Sequence, residues 1–133
     1  MSTKKGQIKF YKEYTIDLAR KEPKRIFIFG DNLARRGKKG QAIIRSEPNS
    51  LGVPTKRYPC MKSKKCFFSD TIEETLAVKH ALDEIDRLIK AGKKIALPKD
   101  GIGTGLAELK KRSPVIYKYI TLFFKRLDSR YMS

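Results

Sequence analysis

Tryptophan is absent from this chain, histidine occurs once, at His80, and cysteine twice, at Cys60 and Cys66. That is too few ligands for a structural zinc site, so no metal centre is expected. Two cysteines cannot build the disulfide framework of a small secreted scaffold, and their spacing is not that of a Cys-x-x-Cys motif. They are expected as reduced thiols. Long apolar runs are also missing: nothing approaches membrane-spanning length, and the polar N-terminus MSTKKGQ has no signal-peptide pattern. The expectation is a soluble, cytoplasmic protein without membrane contact. Acidic residues are scarce, with 14 Asp and Glu against 31 Lys and Arg and a net charge of +17. Such an excess is more than solubility needs and predicts attraction to polyanions, nucleic acid among them. Dense basic spots at Lys4-Lys5, Arg35 to Lys39, Lys62 to Lys65 and Lys110 to Arg112 are spread along the chain. The charge therefore belongs to a folded surface and not to a tail; the plainer alternative is a basic surface without a specific partner.

The 133 residues suffice for one domain with a real core but not for two. Short elements open the chain: a strand over Ile8–Tyr11, then a helix over Thr15–Arg20 stopped by Pro23. The continuous apolar run Arg25–Phe29 predicts a strand buried on both faces, halting at Gly30. A short helical run, Gln41–Arg45, follows a glycine-spaced loop. Leu51–Pro54 reads as a weaker strand ending at Thr55-Lys56, and Cys66–Phe68 as another short one. Thr71 with Glu74 matches a capping box, with Asp70 adding negative charge at the helix start. The helix that follows carries Val78, Ala81, Leu82, Ile85, Leu88 and Ile89 on one face and ends at Gly92. His80 lies on the opposite side and is read as a solvated residue without a catalytic role. Lys94–Pro98 is a further strand of the parallel type. Ser113-Pro114 reads as an N-cap followed by proline at the first helical position, opening a last helix striped by Ile116, Ile120, Phe123 and Leu127. Strand, loop and helix in alternation predict a layered α/β domain with a mostly parallel sheet.

Two loops carry the chemistry. The Arg25–Phe29 strand delivers Gly30, Asp31 and Asn32 to its carboxyl end, followed by Arg35, Gly37, Lys38, Lys39, Gly40 and Gln41. In α/β proteins ligands sit beyond strand ends, and phosphates lie against backbone amides. The second loop, Pro98-Lys99-Asp100-Gly101-Ile102-Gly103-Thr104-Gly105-Leu106, has glycine at every other position. Glycine there permits positive φ and close approach, and successive amides form an anion-binding concavity. No Gly-Lys-Ser/Thr closes it as in a Walker loop, and Glu108 stands where the Rossmann fingerprint needs its third glycine. Either loop alone is weak evidence, because glycine turns are common structural devices. Together, each after an apolar strand, they predict a cleft for a diphosphate.

Asp31-Asn32-Leu33-Ala34-Arg35-Arg36-Gly37 with Gly40-Gln41-Ala42-Ile43 resembles the first ligand loop of macrodomains, and IALPKDGIGTGLAEL resembles their second, diphosphate-gripping loop. The nearest branch is that of the small terminal ADP-ribose glycohydrolases and phage-type macrodomain-like proteins of unknown activity. The resemblance spans roughly residues 25–127. It implies a single three-layer domain over 1–133, with a mixed, mostly parallel sheet flanked by helices and its core in 25–127. It also implies a site for ADP-ribose or a related nucleotide, with no cofactor, and host cytoplasm as the compartment if the source is viral. Asp31 and Asn32 would lie near the adenosine or the distal ribose. Gly37 and Gly40 would let the first loop wrap the distal ribose and phosphate, and Gly101, Gly103, Thr104 and Gly105 would cradle the diphosphate. Gly30, Arg35, Gln41, Ile102 and Leu106 complete the expected ligand-binding set. Lys56 matches the lysine with which the glycohydrolase branch attacks the anomeric carbon, a role that needs a lowered pKa. That branch places an aspartate directly after Gly-x-Gly-Leu, where this chain has Ala107. Glu108 and Asp100 are then the candidate bases, and a protein that holds ADP-ribose without cleaving it is as well supported as a hydrolase.

Two readings from other classes stand beside this one. The first is a basic nucleic-acid-binding module whose glycine loops are only tight turns. No nucleic-acid motif is present, and the aromatics fall in core-like runs, with Tyr11, Tyr14 and Tyr58 as exceptions. The second is a viral protein that blocks a host protein by surface contact and keeps a vestigial pocket.

Overall fold

The computed structural model describes residues 6–132. Its four strands are β1 (Ile8–Tyr11), β2 (Arg25–Asn32), β3 (Ser50–Lys56) and β4 (Lys94–Pro98). They form one sheet in the order β1-β4-β2-β3, and every strand pairing is parallel. The only antiparallel contact among the described residues is a bridge between Lys56 and Phe67. The helices are α1 (Ile16–Lys21), α2 (Ile72–Lys90), α3 (Leu109–Arg112) and α4 (Pro114–Leu127), with 3-10 turns at Gly40–Ile44 and Lys64–Cys66. The chain is thus the single α/β domain that the alternation of elements predicts.

Strand residues point alternately to the two faces, which divides the core. Ile28, Val53, Ile95 and Leu97 pack under α2 and α4 in the larger cluster. Phe27, Phe29 and Ala96 point the other way, against Tyr14 and Ala19 and the Ala42 and Ile44 side chains of the first 3-10 turn. The result is three layers, thick on the α2/α4 side and thin on the other. At the start of β2, Arg25 is buried by donating to the Gln7 and Ile95 carbonyls and to Glu22. These bonds tie β1, β4 and β2 together.

Several expectations change. β2 does not halt at Gly30 but runs through it to Asn32, with a register shift between Asp31 and Asn32. The run after the first glycine loop is a 3-10 turn and not an α-helix, and no side chain caps its start. Cys66–Phe68 is no strand: Cys66 ends a 3-10 turn, Phe67 makes the single bridge, and Phe68 turns into the core. The two cysteines are not free thiols. The turn brings their Cα atoms to 5.5 Å, and they form a disulfide. On α4 the fully buried aromatic is Phe124, with Phe123 only half-buried.

The capping box at Thr71 and Glu74 is present. Asp70 does something other than charge that helix start. It sits at φ 59° and its carboxylate accepts from the Val115 and Ile116 amides and the Ser113 hydroxyl, capping α4. Ser113 is therefore no side-chain cap of its own helix.

Candidate functional site

β2 and β4 are neighbours in the middle of the sheet, so the loops leaving their carboxyl ends meet above it. Between them lies a cleft of about 430 Å³. Gly30, Asp31, Asn32, Gly37, Gly40 and Gln41 line one side of it, Gly103, Gly105 and Leu106 another, and Lys56 joins from the end of β3. Arg35, Asp100, Gly101, Ile102, Thr104 and Glu108 do not line it. Arg35 instead faces a separate hollow beside His80 and Glu84.

Most polar side chains from the first loop are occupied in holding the loop itself. Asp31 is buried; one carboxylate oxygen accepts from the Asn32 amide at 2.7 Å and from the Arg45 guanidinium. Arg45 also donates to the Gly37 carbonyl at 2.8 Å and the Arg36 carbonyl at 3.1 Å. The Asn32 side chain donates to the Arg36 carbonyl at 2.8 Å and accepts from the Arg36 amide at 3.4 Å. Even Gly52 on β3 serves this packing, because a Cβ there would lie 2.5 Å from an Asp31 carboxylate oxygen. Gln41 links the two loops: its carbonyl accepts from the Gly30 amide at 2.9 Å and its amide donates to the Gly101 carbonyl at 3.0 Å.

The second loop has a fixed half and an open half. The Ile102 amide donates to the buried Tyr131 hydroxyl at 2.8 Å, and the Gly101 amide to the Pro98 carbonyl at 3.1 Å. The Thr104 hydroxyl turns back to the Asp100 carbonyl at 2.8 Å. By contrast, the backbone amides of Gly103, Thr104, Gly105, Leu106 and Ala107 donate no hydrogen bond among the described residues. Glycine is required at 103: φ is +80°, and a Cβ would lie 2.7 Å from Leu109 and 3.3 Å from Thr55. A run of unbonded amides after a strand is the arrangement that accepts an anion.

Charge points the same way. Five basic side chains line the cleft, those of Arg36, Lys38, Lys39, Arg45 and Lys56, against the single carboxylate of Asp31. A second hollow beside α1 is lined by Glu13 and Asp17 and suits an anion poorly. Among the described residues no group of histidine, cysteine, aspartate or glutamate could hold a metal.

Lys56 is 7 % exposed. Its amine donates to the Cys60 carbonyl at 2.7 Å and to the Met61 sulfur at 3.0 Å, and lies 4.8 Å from the centre of the Phe67 ring. Burial pulls its pKa below the ordinary lysine value; Glu108 opposes this, and Arg112 adds to it. Arg112 stacks on the same ring at 3.8 Å and pairs with Glu108 at 3.2 Å. Glu108 is held at φ 47°, in the left-handed region, just before α3. The structure thus brings Lys56 to the cleft and Glu108 into its electrostatic reach, while Asp100 lies exposed outside it.

Sequence reasoning missed Arg45 and Thr55 as cleft residues. Arg45 had a signal, four residues beyond Gln41 at the end of the same short turn. Thr55 had none, because its role of donating to the Asp31 carbonyl at 3.1 Å depends on strand register.

Residues 9–123 match a family described as a family of unknown function (DUF7831). The chain belongs to that family. The DUF7831 match runs from β1 well into α4 and so contains both glycine loops, Lys56 and the cysteine pair. No curated protein and no solved structure matches the chain.

Proposed function

We propose that the cleft binds a nucleoside diphosphate, with ADP-ribose as the leading ligand. The observation that carries this reading is the run of five unbonded amides from Gly103 to Ala107, of which all but Thr104 belong to residues lining the cleft. Successive unbonded amides accept phosphate oxygens, and the surrounding cations favour a dianionic group. The macrodomain resemblance of both loops supplies the identity of the ligand. Asp31 and Asn32 shape the first loop in this reading, and the ribose contacts fall to the backbone and to the cationic loop.

Hydrolysis of an ADP-ribosyl linkage is a second reading, favoured by Lys56 on the cleft wall with its lowered pKa. Its neutral amine would attack the anomeric carbon as the bond to the acceptor group breaks. Ala107 offers no base for releasing the adduct, and Glu108 is engaged by Arg112. Binding is therefore the primary function proposed.

Calorimetric titration of ADP-ribose, ADP and AMP at moderate salt tests it. Micromolar binding of ADP-ribose, lost in Gly103→Val and weaker for AMP, is the expected result. Absence of heat and of thermal shift with all three would sink the proposal. Attention would then turn to the basic surface and to nucleic acid, whose binding Gly103→Val would leave intact.

A further inference from the structure

The disulfide and the cleft lysine belong to one small construction. Cys60 and Cys66 close a ring over residues 60–66, and both hydrogen-bond acceptors of the Lys56 amine, the Cys60 carbonyl and the Met61 sulfur, lie within it. The ring is anchored where the Arg57 and Tyr58 amides donate to the Cys66 carbonyl at 3.1 and 3.3 Å. Beyond that anchor the ring makes few attachments: residues 60–65 are all exposed, whereas Cys66 is buried. Pro59, next to Cys60, is part of the cleft wall. The covalent bond thus closes the segment that carries both acceptors of the Lys56 amine.

We propose that the Cys60–Cys66 pair is a redox latch on Lys56: the disulfide holds the amine against the ring, and reduction releases it into the cleft. The reductant is a dithiol. Its thiolate attacks the accessible Cys60 sulfur, the S–S bond breaks, and Cys66 leaves as a thiolate that takes up a proton. The second thiol of the reductant then resolves the mixed disulfide. Two electrons pass to the protein, which ends with two thiols, and the reductant ends as a disulfide. Lys62, Lys64 and Lys65 on the exposed ring attract the anionic thiolate to it. Once the ring opens, Lys56 loses its two partners but keeps its backbone position at the end of β3. Its flexible stem then turns a cation that was held at the cleft wall toward the cleft interior. The predicted gain in affinity for a diphosphate rests on the nucleotide reading; the latch itself does not.

The test measures acylation of each lysine by an amine-reactive ester, read by peptide mass spectrometry at one fixed pH. Oxidised protein, protein reduced with dithiothreitol and the Cys60→Ser/Cys66→Ser variant are compared. Lys56 is expected to react about tenfold faster in the reduced protein and in the variant, as its local protection is lost, while Lys94 and Lys118 keep their rates. Equal Lys56 rates in the oxidised and reduced forms overturn the latch. So does a finding of two free thiols in protein purified without reductant. ADP-ribose titrated into both forms separates the two ideas. Tighter binding after reduction supports both, whereas no binding in either form removes the nucleotide reading and leaves the latch to the labelling result.

Discussion

Gln41 shows how one side chain can fix a site without contributing charge to it. Its two ends satisfy the Gly30 amide on one loop and the Gly101 carbonyl on the other. Gln41→Glu keeps the acceptor for Gly30 but sets a carboxylate oxygen against the Gly101 carbonyl, which loses its donor. Leaving a polar group unsatisfied in this way costs about 1–3 kcal/mol, and the added negative charge opposes an anion in the same cleft. Chemical denaturation is expected to show a loss within that range, together with loss of nucleotide binding. Unchanged stability would mean that the loops hold their relative position without the bridge. The same residue marks a limit of sequence reading. Its place near a ligand follows from the loop pattern, but its bonds to residues 11 and 60 positions away do not.

At the scale of elements, the join between α2 and α4 depends on Asp70. Burial raises the pKa of its carboxyl, but the Ser113 hydroxyl and the Ile116 and Val115 amides outweigh that, and the net shift is downward. A depressed folded-state pKa gives stability that is present above the unfolded value, about 4, and lost as pH falls through the folded value. Asp70→Asn is the informative variant, because asparagine tolerates the left-handed backbone that Asp70 adopts. It is expected to cost about 1 kcal/mol near neutral pH, the typical worth of a helix cap. Thermal melts from pH 7 down to about pH 2 are expected to show the gap between the two proteins closing at the acid end. A gap that stays constant with pH would assign the loss to shape and not to charge. The adjacent Thr71/Glu74 box was legible because all its parts lie within four residues. The cap from Asp70 to α4 was not, because its partners lie 43 to 46 residues away. The cysteine pair failed for a related reason: spacing alone does not show that a 3-10 turn brings the two Cα atoms together. The four strands present were readable from apolar runs, but the same signal at Cys66–Phe68 marked a 3-10 turn and a core aromatic instead. The loops could be assigned to one end of the sheet, but which amides would be left unbonded depended on Tyr131 and Pro98 occupying the others.

For the whole molecule, the net charge of +17 is an opposing force that the fold overcomes without neutralising it. Nine ion pairs among the described residues engage nine of the 31 basic side chains. Several of them, such as Lys79–Asp83 and Arg87–Glu84 on α2, are solvent-exposed and contribute little. Repulsion among the remaining cations is therefore expected to outweigh attraction, and screening it would favour the compact state. Raising sodium chloride from about 20 mM to about 500 mM, where the Debye length falls from roughly 20 Å to a few ångströms, is expected to raise the melting temperature. A fall in melting temperature over the same range would show that ion pairs, and not like-charge repulsion, dominate the electrostatics. Sulfate, compared with chloride at equal ionic strength, extends the test to the cleft. A dianion that fits the Gly103–Ala107 amides stabilises by mass action beyond screening, and the excess is expected to disappear in Gly103→Val. An excess that survives this substitution would place the extra stabilisation in general anion exclusion or on the basic surface, and not at the glycine loop.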